Sequence, residues 1–356
     1  FMADLILKNC LVDGNITDIA VENGKITEVA KTDRDGEDMG GMRVYPGLVD
    51  IHTHGMIGYD TMDGDKLPEM SEYLLKNGIT SWLPTTMTVA FDDIARVVNA
   101  PIPQKGANIL GFHMEGPYIS PKHKGAQNEK YIKNPSVEEF SKLKNVKMVT
   151  IAPELSGSLD FIKKCGAVVS LGHTDCTYDE AIAAIDAGAM CLTHTFNAMP
   201  PLHHRAPAAI GAAFDKRAYA QVICDGLHIH PSVIRILYRL FGKERMVLIS
   251  DSMRATGMPD GKYEFGGQEI TVENHIARAP DGAIAGSTST LMTCVKKAIE
   301  FGIPESDAFY MASRTPCELM GFNKGKIEKG YDADLIVLDD KLELSATVLG
   351  GRLQKI

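Results

Sequence analysis

The sequence predicts an α/β protein: a (β/α)8 barrel of the TIM type that carries a small β-sandwich lobe built from both ends of the chain. Three observations support this fold class. Apolar, β-branched runs alternate with amphipathic helical patterns in the middle of the chain, short β-rich runs occur near its two ends, and histidines and carboxylates follow directly after the apolar runs. Continuous apolar strands covered by helices are typical of parallel sheets, and barrels of this type have about 250 residues.

Apolar runs in the middle of the chain predict the eight barrel strands, at 44–51, 81–85, 109–114, 146–152, 167–171, 190–195, 219–224 and 246–249. Helical patterns lie between most of them, at 67–77, 91–99, 137–143, 159–165, 178–187 and 231–241. A segment rich in Gly and Asp follows the last strand, at about 253–285, and we predict it to be a loop or β-insertion. Residues 287–301 then supply the final helix.

The two ends of the chain predict one small lobe. Short β-rich runs at 5–7, 16–21 and 26–29 are separated by turn sequences, of which Glu22-Asn23-Gly24-Lys25 is typical of a hairpin. A similar texture returns after residue 322. We therefore predict a lobe made of residues 1–45 and 322–356, and a barrel made of residues 46–321.

Composition restricts the classes of function and the compartment. The net charge of −9 disfavours nucleic acid or an anionic membrane surface as a partner, and an anionic substrate would need a local positive site. The seven cysteines show no C-x-x-C pair, which favours reduced thiols. No apolar run approaches the roughly 18 residues of a membrane helix. We expect a cytoplasmic protein.

Residues able to bind a metal cluster at the predicted strand ends, where barrel enzymes place their active sites. In chain order they are His52, His54, His113, Glu115, His173, His194, Asn197, Asp225, His228 and Asp251. Alternation along a strand puts His52 and His54 on one face, and nitrogen and oxygen donors without thiolate favour Zn, Fe or Mn. Beside such a metal, Asp251 could take a proton from water and pass it to a leaving group. Any single histidine here could instead be a buried, hydrogen-bonded residue.

Several motifs resemble those of the N-acetylglucosamine-6-phosphate deacetylases, a family of the amidohydrolase superfamily. They are His-Thr-His-Gly (52–55), His-Met-Glu-Gly-Pro (113–117), Gly-His-Thr (172–174), His-Thr-Phe-Asn-Ala-Met (194–199), Asp-Gly-Leu-His (225–228) and Ser-Asp-Ser-Met-x-Ala-Thr-Gly (250–257). The segment 330–335 resembles the closing strand of the family. The resemblance implies metal-dependent hydrolysis of the acetamide of N-acetylglucosamine 6-phosphate to glucosamine 6-phosphate and acetate, in amino-sugar catabolism and cell-wall recycling.

The resemblance also implies roles for individual residues. Glu115, His173 and His194 match the ligands of a primary divalent metal ion, and His52 and His54 match those of a second, so one or two ions, Zn or Fe, are implied. Asp251 matches the catalytic acid and base, and His228 matches the group that helps to polarise the acetamide carbonyl. The implied substrate contacts are Ala126, Gln127, Asn197, Ala198, Arg205, Asp225, His228, Ile284, Ala285 and Gly286.

Two of these contacts carry further expectations. Gln127 stands where some family members have histidine. Arg205 is implied to bind phosphate, which suits the planar fork of a guanidinium group. The corresponding arginine of the family can act across a dimer interface, so we expect a homodimer or homotetramer.

Two alternatives remain open on sequence grounds. One is an amidohydrolase that acts on another N-acyl amino sugar phosphate or on an N-acyl amino acid, and substrate-profile kinetics would distinguish it. The other is a metal-free interaction scaffold that kept the barrel but lost catalysis. The full set of strand-end ligands speaks against the scaffold, and metal analysis together with an activity assay would decide.

Overall fold

Parallel strands form a nearly closed barrel in the computed structural model, which describes residues 5–356. In order they are Leu48–Thr53, Ile79–Thr86, Phe112–Glu115, Val146–Ile151, Val168–Leu171, Cys191–Leu192, Tyr219–Ile223 and Met246–Ile249, called here the first to eighth barrel strands. Each is paired in parallel with the next. The short strand Asn108–Ile109 pairs alongside the second barrel strand. The predicted fold class is confirmed.

The first and eighth barrel strands close the barrel without a regular ladder. The Asp251 N–H donates to the His52 carbonyl oxygen at 2.9 Å. The hydroxyl of Ser250 donates to the buried carboxylate of Asp50 at 2.5 Å. Burial raises the pKa of Asp50 to about 6, against the opposing effect of the Ser250 hydrogen bond. The closure therefore joins the strand that carries His52 to the strand that ends at Asp251.

Helices cover the outside of the barrel. Pro231–Phe241 shows the amphipathic pattern, since it buries Ile234, Leu237 and Phe241, and His230 caps its first turn. The α-helices are Leu67–Lys76, Phe91–Val98, Val137–Phe140, Ser158–Lys164, Tyr178–Ala187, Ala208–Asp215, Pro231–Phe241, Leu291–Glu300 and Glu305–Met320. Short 3-10 helices lie at Thr61–Asp63, Pro121–His123 and Glu129–Tyr131.

The structure differs from the predicted elements in several places, and three of these differences have a local physical reason. Ala208–Asp215 was not predicted, because this helix is almost wholly apolar and has no polar face to reveal its period. Glu305–Met320 was not predicted either, and it contains Pro316, a residue that usually interrupts helices. The predicted strand 44–51 is divided at Gly47, where a Cβ atom would lie 2.1 Å from the Thr80 hydroxyl oxygen.

The small lobe is a separate sheet with strands from both ends of the chain. In spatial order its strands are Arg352–Lys355, Leu344–Leu349, Leu335–Leu338, Arg43–Pro46, Leu5–Val12, Asn15–Glu22 and Lys25–Val29, with Glu37–Asp38 beside Leu5–Val12. The predicted hairpin is confirmed, because Glu22 pairs with Lys25 across Asn23 and Gly24, whose φ angles are 51° and 75°. Positive φ at both central residues is the pattern of a type I′ turn.

One strand joins the lobe to the barrel. Leu335 and Val337 lie in the core of the lobe, whereas Ile336 and Leu338 face the barrel core from the other side of the same strand. Burial of both faces explains why this strand is continuously apolar. The division of the chain into residues 1–45 with 322–356 and residues 46–321 stays a prediction, and residues 1–4 lie outside the described part.

The segment after the eighth barrel strand, for which the sequence left a loop or a β-insertion open, contains β-strands. It forms a three-stranded antiparallel sheet of Gly261–Phe265, Gln268–Glu273 and Ile276–Arg278. Phe265 and Ile270 pack in one cluster with Met87 and Met253, which places the insertion beside the carboxyl ends of the barrel strands. A two-stranded sheet of Gly55–Met56 and Tyr59–Asp60 follows the first barrel strand.

Among residues 5–356, none of the helices combines the length and the apolar character needed to cross a membrane.

Candidate metal centre and active site

Four histidines surround one buried carboxylate at the carboxyl ends of the barrel strands. Glu115 Oε1 lies 3.3 Å from the Nε2 atoms of both His52 and His173, and 3.0 Å from that of His194. Its other oxygen, Oε2, lies 3.2 Å from His54 Nε2. The Nε2 atoms of His173 and His194 are 3.0 Å apart. The predicted ligands thus come from the first, third, fifth and sixth barrel strands and meet at one point.

Hydrogen bonds on the outer ring nitrogens determine how three of these histidines present their inner nitrogens. Each Nδ1 faces an oxygen that can only accept, so Nδ1 carries the proton and Nε2 turns towards the cluster. Metal-binding histidines are commonly held in this way. The acceptors are Gln221 Oε1 for His52 (2.9 Å), the Thr85 carbonyl for His54 (3.2 Å) and the His123 carbonyl for His173 (2.8 Å).

Unusual backbone conformations direct three of the side chains into the site. The φ angles of His173, His194 and Asp251 are 46°, 27° and 48°, in the left-handed region that residues with a Cβ atom seldom adopt. Such conformations cost of order 1–3 kcal/mol each and occur preferentially at functional sites. The strand ends therefore bend at the positions where the sequence predicts ligands and the catalytic acid.

The charges of the cluster require a positive partner. Asp251 Oδ1 lies 3.4 Å from His54 Nε2. Burial alone would lower the pKa of His54, but hydrogen bonds to Asp251 and Glu115 outweigh it and raise the pKa to about 10. Burial alone would raise the pKa of Asp251, but the charges of His52 and His54 hold it at about 2. Protons on the histidines or a metal cation can supply the positive charge.

The donor atoms fit a divalent metal ion. Two overlapping groups each have their ligand atoms within 4.8 Å of one another: His52 with His54 and Glu115, and Glu115 with His173 and His194. Imidazole nitrogen with carboxylate oxygen, and no thiolate, is a donor set suited to Zn or Fe. Glu115 belongs to both groups, so the site can accommodate one ion or two.

A cavity of about 450 Å³ opens onto this cluster. It brings together ligand residues from the barrel and most of the predicted substrate contacts. Its lining includes His54, Glu115, His173, His194, Asp251, Ala126, Gln127, Asn197, Ala198, His228, Ile284, Ala285 and Gly286, and also Lys122, His123, Gly125, Phe265 and Ala283.

Besides the buried ligand His52, three candidate residues lie outside the cavity wall. Arg205 is exposed, and its nearest polar contact is His204 Nε2 at 2.8 Å. Asp225 holds a residue of the wall, His228, because its carboxylate accepts a hydrogen bond from His228 Nδ1 at 2.7 Å. His113 is bonded to the Ile51 carbonyl and the Thr150 hydroxyl, and burial lowers its pKa, so it has the structural role that the sequence left open.

Sequence reasoning missed two residues that shape the site. Gln221 holds His52, and a glutamine inside the otherwise apolar seventh barrel strand was the available clue. Phe265 comes from the insertion, and the centre of its ring lies 5.4 Å from that of His54 in an edge-on arrangement. Nothing in the local sequence of the insertion indicates this contact.

Replacing Asp225 with Asn should destabilise the protein most at mildly acidic pH. Burial lowers the pKa of His228, but the Asp225 hydrogen bond and charge outweigh this and raise it. A raised pKa stabilises the folded state below the unfolded pKa of about 6.5, and this contribution is lost as pH rises through the folded value. Loss of one partner of a buried ion pair costs about 3 kcal/mol. Urea unfolding at pH 6 and pH 9, with both proteins in the same metal state, measures the difference.

The matched control is Asp33→Asn, which removes the same charge from an exposed position. It should change the free energy of unfolding little at either pH. An effect of Asp225→Asn that is equal at pH 6 and pH 9 would contradict the assignment of the raised His228 pKa to Asp225.

Comparisons with known proteins identify the family of this chain. The model of the amidohydrolase family matches residues 43–353. An N-acetylglucosamine-6-phosphate deacetylase of Vibrio furnissii is 36% identical, over 93% of this chain and 89% of the relative. An N-acetylgalactosamine-6-phosphate deacetylase of Escherichia coli O157:H7 is 35% identical, over 91% of this chain and 90% of the relative.

A solved structure gives the same result. A mutant N-acetyl-D-glucosamine-6-phosphate deacetylase of Mycobacterium smegmatis, in complex with N-acetyl-D-glucosamine-6-phosphate, has a TM-score of 0.90 and 31% identity, and the match covers 99% of each chain. The chain belongs to the amidohydrolase family and, within it, to the group that contains the N-acetylglucosamine-6-phosphate deacetylases.

Proposed function

We propose that this protein hydrolyses the acetamide of N-acetylglucosamine 6-phosphate to glucosamine 6-phosphate and acetate. The observation that carries the proposal is the position of Asp251, whose carboxylate lies within 3.5 Å of His52 Nε2 and faces the cavity. An ionised carboxylate beside a set of metal ligands is the arrangement needed for hydrolysis of an amide by activated water. The activity named for the relatives supports the choice of substrate.

Glu115, His173 and His194 would hold the primary ion, and His52 and His54 would complete a second position. Zn or Fe suits these donors. When bound, such an ion lowers the pKa of water towards about 7 and polarises the substrate carbonyl.

The residues of the chain would move the protons and orient the amide. Positive charge beside Asp251, from protons on the histidines or from a cation, keeps its carboxylate ionised, so it can accept the proton of the attacking water. It would then deliver this proton to the departing nitrogen, which matters because an amide anion is a very poor leaving group. Asp225 accepts a hydrogen bond from His228 Nδ1 and raises the pKa of His228, which in its protonated form would donate a hydrogen bond to the acetamide oxygen.

The cavity lining would surround the sugar. The lining includes Asn197 and Ala198, Ala126 and Gln127, and the segment Ile284, Ala285 and Gly286, which follows the last strand of the insertion. The phosphate would need a positive group because the chain carries a net charge of −9. Arg205 is exposed and lies outside the wall of its own cavity, so we infer that it reaches the site of a second subunit in a homodimer or homotetramer.

The setting that we propose is the cytoplasm, with a role in amino-sugar catabolism and cell-wall recycling. All seven cysteines are free, which agrees with a reducing compartment. The proposal includes neither nucleic acid nor membrane as a partner.

The purified protein should release acetate from N-acetylglucosamine 6-phosphate. A chelator should abolish the reaction, and added Zn²⁺ or Fe²⁺ should restore it, because the ligand cluster cannot polarise the carbonyl without a cation. The measurement is acetate release, with N-acetylgalactosamine 6-phosphate and an N-acyl amino acid as competing substrates. Metal-replete protein that deacetylates neither phosphorylated sugar would contradict the proposal. A preference for the galactosamine epimer would match the substrate named for the relative from Escherichia coli.

Asp251→Asn should keep the metal and the substrate but lose most of kcat. Asparagine preserves the size of the side chain and cannot shuttle a proton, and general acid–base catalysis contributes about 10²–10⁴-fold. The loss should be smaller for an analogue with a better leaving group. The test measures kcat on both substrates, with metal quantified in both proteins. Turnover of the acetamide within tenfold of wild type would remove Asp251 from the mechanism.

Arg205→Ala should weaken use of the phosphorylated sugar far more than use of unphosphorylated N-acetylglucosamine. A charge-assisted contact contributes roughly 1.5–3 kcal/mol, so about 10- to 100-fold in kcat/KM is expected. Mixed oligomers of Arg205→Ala and Asp251→Asn subunits should regain activity, because one site then combines an intact Asp251 with an intact Arg205 from the other subunit. Equal losses on both sugars would give Arg205 a structural role.

A further inference from the structure

Gln127 makes a contact that its predicted place in the substrate cavity does not explain. Its side-chain Nε2 donates a hydrogen bond to Glu115 Oε2 at 2.6 Å, and both residues are 2% exposed. Its Oε1 accepts a hydrogen bond from the Thr88 N–H at 2.7 Å. Because a backbone N–H can only donate, Thr88 determines which end of the Gln127 amide faces Glu115.

This contact distinguishes the two oxygens of Glu115. Oε2 receives the Gln127 hydrogen bond, whereas Oε1 has no conventional hydrogen-bond partner among the described residues. Oε1 instead lies 3.0 Å from His194 Nε2 and 3.3 Å from the Nε2 atoms of both His173 and His52. The Gln127 amide thus opposes rotation of the carboxylate and leaves Oε1 as the oxygen open to a cation that His173 and His194 also hold.

The amide of Gln127 has little capacity left for a sugar hydroxyl. Besides its bond to Glu115, Nε2 lies 3.9 Å from the Met87 sulfur. The loop also has an anchor that does not involve the Gln127 side chain, since Gln268 Nε2 donates to the Ala126 carbonyl at 3.2 Å. This bond remains when the Gln127 side chain is replaced.

We propose that Gln127 is a positioning residue of the metal centre, which orients Glu115 so that Oε1 faces the ion held with His173 and His194. Residues that hydrogen-bond to metal ligands typically change metal affinity about 10- to 100-fold when they are replaced. The inference rests on one part of the proposed function, the binding of a metal ion by this cluster. Its readout is metal affinity, whereas failure of the proposed function would appear as absent acetate release in wild type.

Gln127→Met tests the role directly, because methionine has a similar length and no donor. Competition with a chromogenic chelator should show metal binding about 10- to 100-fold weaker than in wild type. Gln127→Glu should bind metal no better than Gln127→Met, since a second carboxylate would face Glu115 in place of a donor. Circular dichroism of the metal-free proteins verifies that both are folded, and Gln127→Ala removes the donor with less bulk if the methionine variant does not fold.

The matched control is Gln268→Met, which removes a hydrogen bond to the same loop without touching Glu115. Its metal affinity should stay within about twofold of wild type. If the folded Gln127 variants bind metal as tightly as wild type and show only a raised KM, Gln127 is a substrate contact and the positioning role is wrong. Equal loss of affinity in Gln268→Met would show that the loop matters rather than the Gln127 donor, and would also overturn the proposal.

Discussion

The structure depends on one constraint: imidazole nitrogens and carboxylate oxygens are held close together in a buried space. Glu115 Oε1 lies within 3.3 Å of three ring nitrogens, with little water to screen their charges. An electron-rich cluster of this kind is stable only with protons or a cation inside it. The surrounding protein must therefore keep these side chains from moving apart, and several features of the fold do so.

Contacts around the cluster, as well as contacts within it, prevent the side chains from moving apart. The Nδ1 atoms of His52, His54 and His173 are tied to fixed oxygens, so the rings cannot turn away. The barrel closes through Asp50 and its bond to Ser250, which keeps the first and eighth strands side by side. Left-handed backbone at the strand ends is retained because this packing determines it more strongly than local preference does. The rigid barrel thus supplies positions that loops alone would not hold.

The loops and the insertion form a cavity over the cluster. Two titratable groups in this cavity have pKa values that are shifted in opposite directions. The charges of its histidine neighbours lower the pKa of Asp251, whereas Asp225 raises the pKa of His228. Titratable groups whose pKa values are driven in opposite directions by their surroundings suit a base and a hydrogen-bond donor in one reaction. Phe265 of the insertion packs against His54 and limits the access of water to this side of the cluster.

The sequence by itself predicted the barrel, the lobe and the grouping of the possible metal ligands. Strand periodicity and strand-end histidines are local patterns, and in a parallel barrel all strand ends meet on one face, so His52, Glu115 and His194 could be grouped without coordinates. Tertiary structure alone decided which oxygen of Glu115 faces Gln127, that Gln221 holds His52, and that Arg205 lies outside its own cavity. These facts depend on contacts between residues far apart in the chain and on side-chain orientation. Helix Ala208–Asp215 escaped prediction for a related reason, since its apolar residues are buried on most sides by neighbours that no local window contains.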